Sequence, residues 1–152
     1  MSEPNYRPAA ISDAAAIHAL MLTIADDIPL AVETLEQEEA LYAAVRKVLA
    51  LGQSWVALDG ETIAGFVLVD SAEVGRHWGE NELLNLRYAG VASVWRDSEV
   101  LTGLLGKVLE RNVPITASVR NTNRSGIVAR LEKLGFRPTE ARVGEQRFRY
   151  EP

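Results

Sequence analysis

Apolar positions recur along this chain with two periods, and the switches between them mark its elements. Tyr6-Arg7-Pro8 reads as a short first strand, with Pro8 suited to an edge or a strand end. Ser12 or Asp13 then offers an N-cap oxygen, and Ile17, Leu20, Met21 and Ile24 follow the three-four spacing of one helical face. Asp26-Asp27-Ile28-Pro29 breaks that helix. A second helix is predicted from Thr34 to Ala50, with Leu41, Val45, Val48 and Leu49 inward and Gly52 as its stop. The period then shortens. Ser54–Leu58 and Thr62–Asp70 flank Asp59-Gly60, a strong hairpin signal. Ile63–Val69 is apolar on both faces, as a central strand covered on both sides would be.

Ser71–Asn81 is polar and reads as a loop. Leu83–Val94 can supply a long strand, with Gly90 marking a bulge. Asp97 or Ser98 caps a helix whose stripe is Val100, Leu101, Leu104, Leu105, Val108 and Leu109. Asn112-Val113-Pro114 ends it, and Ile115–Val119 makes a strand. A fourth helix covers Arg124 to Leu134, with Ile127, Val128, Leu131 and Leu134 inward and Gly135 just past its end. Val143–Tyr150 alternates as a final strand, and Phe136-Arg137 can add a short extra one. The order β-α-α-β-β-β-α-β-α-β argues for an α/β (α+β) fold with a mixed sheet and helices on both faces.

Composition narrows the chemistry. The 152 residues fit one domain, residues 1–152, because no repeat, low-complexity run or linker divides them. Apolar segments are too short to span a bilayer and Met1-Ser2-Glu3-Pro4 has no basic start, so the expectation is a cytoplasmic protein with no membrane partner. With no cysteine and only His18 and His77, thiolate chemistry and a His-rich zinc site are excluded, and no metal is expected. A net charge of −5 argues against nucleic acid as a partner while leaving a local cationic groove open.

Several stretches resemble the GCN5-related N-acetyltransferase (GNAT) family. Tyr6-Arg7-Pro8-Ala9-Ala10-Ile11-Ser12-Asp13-Ala14-Ala15-Ala16-Ile17 resembles its first strand and helix. Trp55-Val56-Ala57 through Asp59-Gly60 to Ile63-Ala64-Gly65-Phe66 resembles its second and third strands, and Lys133-Leu134-Gly135-Phe136 its Gly-Phe signature. The resemblance covers nearly the whole chain. It implies a mostly antiparallel central sheet, acetyl-CoA as co-substrate and a small-molecule or peptide amine as acceptor, with a second copy of the chain as a further candidate partner. It places the acetyl-CoA contacts at Val91, Ala92, Arg96, Asp97, Ser98, Glu99, Val100, Leu101, Thr102, Asn123 and Arg124.

The family's Val-x-Pro-x-aromatic-Arg-Gly-x-Gly-x-Gly loop is altered here. Val91, Trp95 and Arg96 fit, Ser93 replaces the proline, and Asp97, Glu99 and Leu101 replace the three glycines. Such a loop offers backbone N–H groups and a helix dipole to a pyrophosphate, and glycine lets the backbone come close. Glu99 and Leu101 are expected to add bulk there. At about 4 Å and an effective dielectric near 20, one like-charge contact costs about 4 kcal/mol, and far less if the side chains splay into water. Asp97-Ser98-Glu99 also reads simply as a good helix start. Asn123 is a cofactor contact or an N-cap. Leu131 stands where the family often carries a tyrosine that protonates the departing thiolate.

For a base, Glu82 at the start of the fourth strand comes first and Glu80 second. Glu82 also reads as an exposed strand-edge acid. His77, on a predicted loop, is the other candidate, its ordinary pKa suiting proton transfer. His18 reads as structural. Asp26, Asp27, Glu33, Glu36, Glu38 and Glu39 could steer a cationic amine, or form a solvated helix face. The leading expectation is an N-acetyltransferase acting by direct attack of an amine. The alternatives are a GNAT-fold binding or regulatory module without catalysis, and an interaction protein using the sheet edge or the Trp78 loop.

Overall fold

A computed structural model of the chain describes residues 3–72 and 82–152. Strands β1 (Asn5–Pro8), β2 (Trp55–Asp59), β3 (Thr62–Ala72), β4 (Leu83–Val91), β5 (Ile115–Arg120), β6 (Arg137–Arg142) and β7 (Glu145–Tyr150) form one sheet, in the order β1-β2-β3-β4-β5-β7-β6. Every pairing is antiparallel except that of β4 with β5. Helices α1 (Ala14–Thr23), α2 (Leu35–Leu49), α3 (Val100–Leu109) and α4 (Ile127–Lys133) cover both faces. This is the mixed, mostly antiparallel α/β arrangement that the element order implies.

Alternation along the strands decides which helix packs where. Val56, Phe66 and Leu68 point to α1 and α2, meeting Ile17, Met21 and Val45. Ala57, Val67, Val69, Leu84, Ile115, Ala117 and Phe148 point the other way, to Leu101, Leu104 and Leu105 of α3 and Leu131 of α4. Residues Ala64 and Phe66–Val69 are all buried, so β3 is covered on both sides as its apolar run predicts. Thr34, the expected first residue of the second helix, is its N-cap, its hydroxyl accepting from the Gln37 N–H at 3.1 Å. Among the described residues no helix is long and apolar enough to cross a membrane.

The differences from expectation have local causes. The bulge lies at Arg87, not Gly90: Leu68 pairs with Tyr88 and Val69 with Leu86, leaving Arg87 as the extra residue. Gly90 stays in register with Phe66, and a Cβ there would come within 2.6 Å of Ile24 Cδ1, so the glycine lets the end of α1 approach β4. β4 stops at Val91, and a 3-10 turn follows at Ser93–Trp95. β3 runs on through Ser71 and Ala72, assigned to a loop by their polarity. The last strand begins only at Glu145. Val143-Gly144 is a turn, with Gly144 at φ +79°, and residues before it form β6. α4 begins at Ile127, and Leu109 of α3 is only half-buried.

Asp13 also takes another role. It makes no side-chain cap on α1. Its carboxylate accepts from Arg7 Nη1 and Nη2 and from the Ala10 N–H, each at 2.8 Å, which ties β1 to the turn before α1. The Arg7 hydrogen bonds hold its carboxyl below the usual carboxylate range, against the opposing effect of burial, and the Ala10 N–H adds to them. A lowered folded pKa gives stability that is present above the unfolded value, about 3.9, and lost as pH falls through the folded value. Asp13→Ala is therefore expected to cost about 1–3 kcal/mol near neutral pH. In urea unfolding, its gap to the wild type should narrow as the buffer becomes acidic. A gap that stays constant down to pH about 2 would contradict the assignment.

Candidate functional site

β4 and β5 pair over only three positions, Leu84–Leu86 with Ile115–Ala117. Beyond them β4 stays with β3 as far as Val91, while β5 stays with β7 as far as Arg120. The two strands therefore part, and the Arg87 bulge sits where the parting begins, as bulges bend the strand that carries them. A cavity of about 300 Å³ opens between them. Its walls are Leu86–Ala89 of β4 and Ala117–Arg120 of β5, with Ile28–Leu30, Asn123, Ile127 and Glu145 around the rim.

Antiparallel pairing decides which backbone groups face this gap. The Ala92 N–H donates to Ala64 O at 2.8 Å, so hydrogen-bonded and non-hydrogen-bonded pairs alternate back along β4 from that point. Gly90 and Tyr88 direct their N–H and C=O groups to β3. Ala89 and Val91 direct theirs to the side from which β5 has departed. Of the two residues expected to offer free backbone, Val91 does so. Ala92 is committed to Ala64 of β3, and Ala89 takes its place.

The loop after β4 keeps a glycine-like path without glycine. Asp97 lies at φ +65°, a left-handed conformation that aspartate tolerates better than most residues. Ser98 donates its N–H to Trp95 O at 3.2 Å, its Oγ accepts from the Val100 N–H at 3.3 Å, and its carbonyl accepts from Arg130 Nη2 at 3.1 Å. Glu99 is the N-cap residue of α3, and the Gly103 N–H is the first to close a helical turn, onto Glu99 O at 2.8 Å. The N–H groups of Leu101 and Thr102 precede it and have no partner among the described residues.

The side chains depart from expectation here. Val100 and Leu101 are buried in the core under α3, so Leu101 adds no bulk over the loop. Asp97 and Glu99 are exposed, which weakens their repulsion of an anion through solvent screening. Burial pushes the Tyr6 phenol up, and the charges of Glu3 and Glu99 add to it.

Asp27 is the centre of a connection with no local signal. Its carboxylate pairs with the Arg96 guanidinium, and its carbonyl accepts from the Arg124 N–H at 2.7 Å. Arg124 Nη2 reaches Asp26 O at 3.4 Å. The segment between α1 and α2 is thus tied to the loop before α3 and to the loop before α4, and it lays Ile28, Pro29 and Leu30 along the cleft. Asp27 is therefore not part of a free acidic face. Asn123 lines the cleft, but its Oδ1 accepts from the Ser125 N–H at 2.9 Å and from Ser125 Oγ at 2.6 Å, a local turn bond.

Glu82 pairs with Arg111 at the start of β4 and lies outside the cleft lining. His77 and Glu80 fall outside the described residues. His18 Nε2 lies 2.9 Å from Glu38 O and packs edge-on against Tyr42, a structural setting. Leu131 is fully buried.

No family sequence model and no curated protein sequence matches the chain. Solved structures do. A putative acetyltransferase of the GNAT family from Desulfovibrio desulfuricans superposes with a TM-score of 0.73 at 16% identity, covering 97% of this chain and 98% of that one. The fold is that of the GNAT acetyltransferases. Diaminobutyrate acetyltransferase EctA from Paenibacillus lautus, solved with L-2,4-diaminobutyric acid and coenzyme A, gives 0.74 at 14% identity over 100% of this chain and 96% of that one. Drosophila melanogaster polyamine N-acetyltransferase gives 0.73 at 11% identity over 99% and 100%.

On this GNAT fold, the described residues lining the cleft include Tyr88, Ser118 and Glu145, whose side chains can exchange a proton. Sequence reasoning passed over Tyr88, Glu145, Ala89 and Arg120, and named Asp27 only within an acidic face, because each is brought in by pairing register or by contacts distant along the chain. The only local hint was Asp26-Asp27 breaking a helix before Pro29.

The left-handed Asp97 can be tested by itself. Asp97→Ala should destabilise the protein by about 1 kcal/mol, while Asp97→Gly should be neutral or slightly stabilising. Equal effects of the two in chemical denaturation would show that this residue does not need the conformation.

Proposed function

We propose that the protein is an N-acyltransferase that moves an acetyl group from acetyl-CoA to an amine by direct attack. The observation that carries the proposal is the parted β4–β5 pair. It gives an elongated substrate a cleft along Leu86–Ala89, and the register with β3 turns main-chain groups of Ala89 and Val91 toward the side that β5 has left.

The chain's residues fit a diphosphate-bearing co-substrate in part. The N–H groups of Leu101 and Thr102, at the positive end of the α3 dipole, suit an anion. Asp97 and Glu99 oppose it from solvent, and Asp27 competes for Arg96. When bound, acetyl-CoA supplies an activated acyl carbon. The attacking nitrogen forms a bond to that carbon, the carbon–sulfur bond breaks, and the sulfur leaves with the electron pair. A main-chain N–H on the β4 edge is placed to stabilise negative charge on the carbonyl oxygen. Glu145 is the cleft carboxylate that can take the amine's proton, directly or through water, and Tyr88 or water can return one to sulfur.

A second reading, a CoA-binding module without catalysis, is favoured by the buried leucine at position 131 and by the Asp27–Arg96 pair. Turnover separates the two.

Coenzyme A should stabilise the protein saturably, by about 2.7 kcal/mol at about 100 times its Kd. A thermal melt unchanged at millimolar coenzyme A would reject both readings. Asp97→Asn combined with Glu99→Gln should tighten coenzyme A binding several-fold, most at low ionic strength. Weaker binding in the double variant would show that these carboxylates help the site rather than oppose it.

A further inference from the structure

One face of the sheet carries a charge pattern opposite to that of the whole chain. α1 and α2 pack on β2 and β3, through Val56, Phe66 and Leu68, and leave the same face of β5 and β7 without a helix. On β5, Ile115, Ala117 and Val119 are buried toward α3 and α4, while Ser118 and Arg120 point to the bare face and are exposed. Arg147 stands opposite Ser118, and Glu145 opposite Arg120, on β7. Arg87 on the β4 bulge is exposed and lines the cleft with Arg120. It stacks over the Tyr88 ring, its guanidinium carbon 5.6 Å from the centroid.

Arg87 and Arg120 thus line the open side of the cleft, and Arg147 stands next to Ser118 on the same face, in a protein of net charge −5. Among the described residues none of Arg87, Arg120 and Arg147 has a carboxylate within ion-pairing distance, although other exposed arginines of the chain, such as Arg142 and Arg149, do. Among the described residues, Glu145 is the one acidic side chain that lines the cleft. A second cavity continues along the same face, lined by Arg147 and Arg149 of β7, with Asp70 of β3 and Glu140 of β6 also in its lining.

We infer that the acceptor is a small amine that also carries a carboxylate, its anionic end held by Arg120, Arg147 and Arg87 and its nitrogen directed into the β4–β5 gap. This rests on the transferase reading for the fate of the amine, but not for the binding of the carboxylate. The arginines face away from α3 and α4, whereas the free N–H groups proposed for the diphosphate belong to the start of α3, so the two anions have separate holders. Guanidinium suits this task because it meets a carboxylate with two parallel donors. The same patch disfavours a cationic polyamine by like-charge repulsion.

The test uses matched probes: glycine, β-alanine and γ-aminobutyrate, each against its own carboxamide, with the polyamine putrescine as the cationic control. Binding to the CoA-saturated protein is followed by calorimetry and acetyl transfer by release of the free thiol. At least one amino acid should be preferred over its amide by about tenfold or more, the factor one charge-assisted pair can supply. Arg120→Gln and Arg147→Gln should each reduce that preference without changing the Kd of coenzyme A. Equal use of acid and amide, preference for putrescine, or loss of coenzyme A affinity in the arginine variants would overturn the inference while leaving the transferase reading intact. Failure of every amino acid to bind would overturn it too. Arginine-dependent binding of an amino acid without any transfer would uphold the inference and remove the transferase reading.

Discussion

The constraint on which the site depends is the short parallel ladder between β4 and β5. Three paired positions hold the two strands together at one end, and at the other they share no ladder and are joined through the Asp27 contacts with Arg96 and Arg124. The gap is tolerated because each strand keeps an antiparallel partner on its far side, β3 for β4 and β7 for β5. Only the inner row of hydrogen bonds is given up. A parallel pair also needs a crossover, and α3 supplies it, so the start of α3 stands at the wide end of the gap. The cleft, its free main-chain groups and its helix N-terminus are therefore consequences of one pairing choice.

Charge is distributed around that gap in a way that net charge conceals. The loop before α3 carries exposed acids at Asp97 and Glu99, and Asp27 pairs with its arginine. The bare sheet face carries Arg120 and Arg147, which form no ion pair among the described residues. Asp97 also shows how a glycine position can be filled. The backbone keeps the left-handed turn, and aspartate bears it at modest cost because its side chain is short and polar.

Much of the fold was legible because it rests on local periodicity. Residues Leu41, Val45, Val48, Leu104, Leu105 and Leu131 follow one helical face and are buried, and the unbroken apolar run of β3 marks it as central. The fate of Leu101 was legible twice with opposite answers. It completes the α3 stripe and it also replaces a loop glycine; the stripe prevails because the core buries the side chain. The tail misled because period-two alternation continues through Val143-Gly144, and only the positive φ of Gly144 marks the turn. The Arg87 bulge depends on the register with β3, and the Asp27 contacts join residues far apart along the chain. Such features leave no trace in a local pattern, and the site is built mainly from them.

Amide hydrogen exchange at the β4 edge tests the central claim most directly. Ala89 and Val91 should gain protection when coenzyme A is added, while Tyr88 and Gly90, already bonded to β3, change little. Protection of Ala89 and Val91 that is already complete in the free protein, or that does not respond to coenzyme A, would contradict the account.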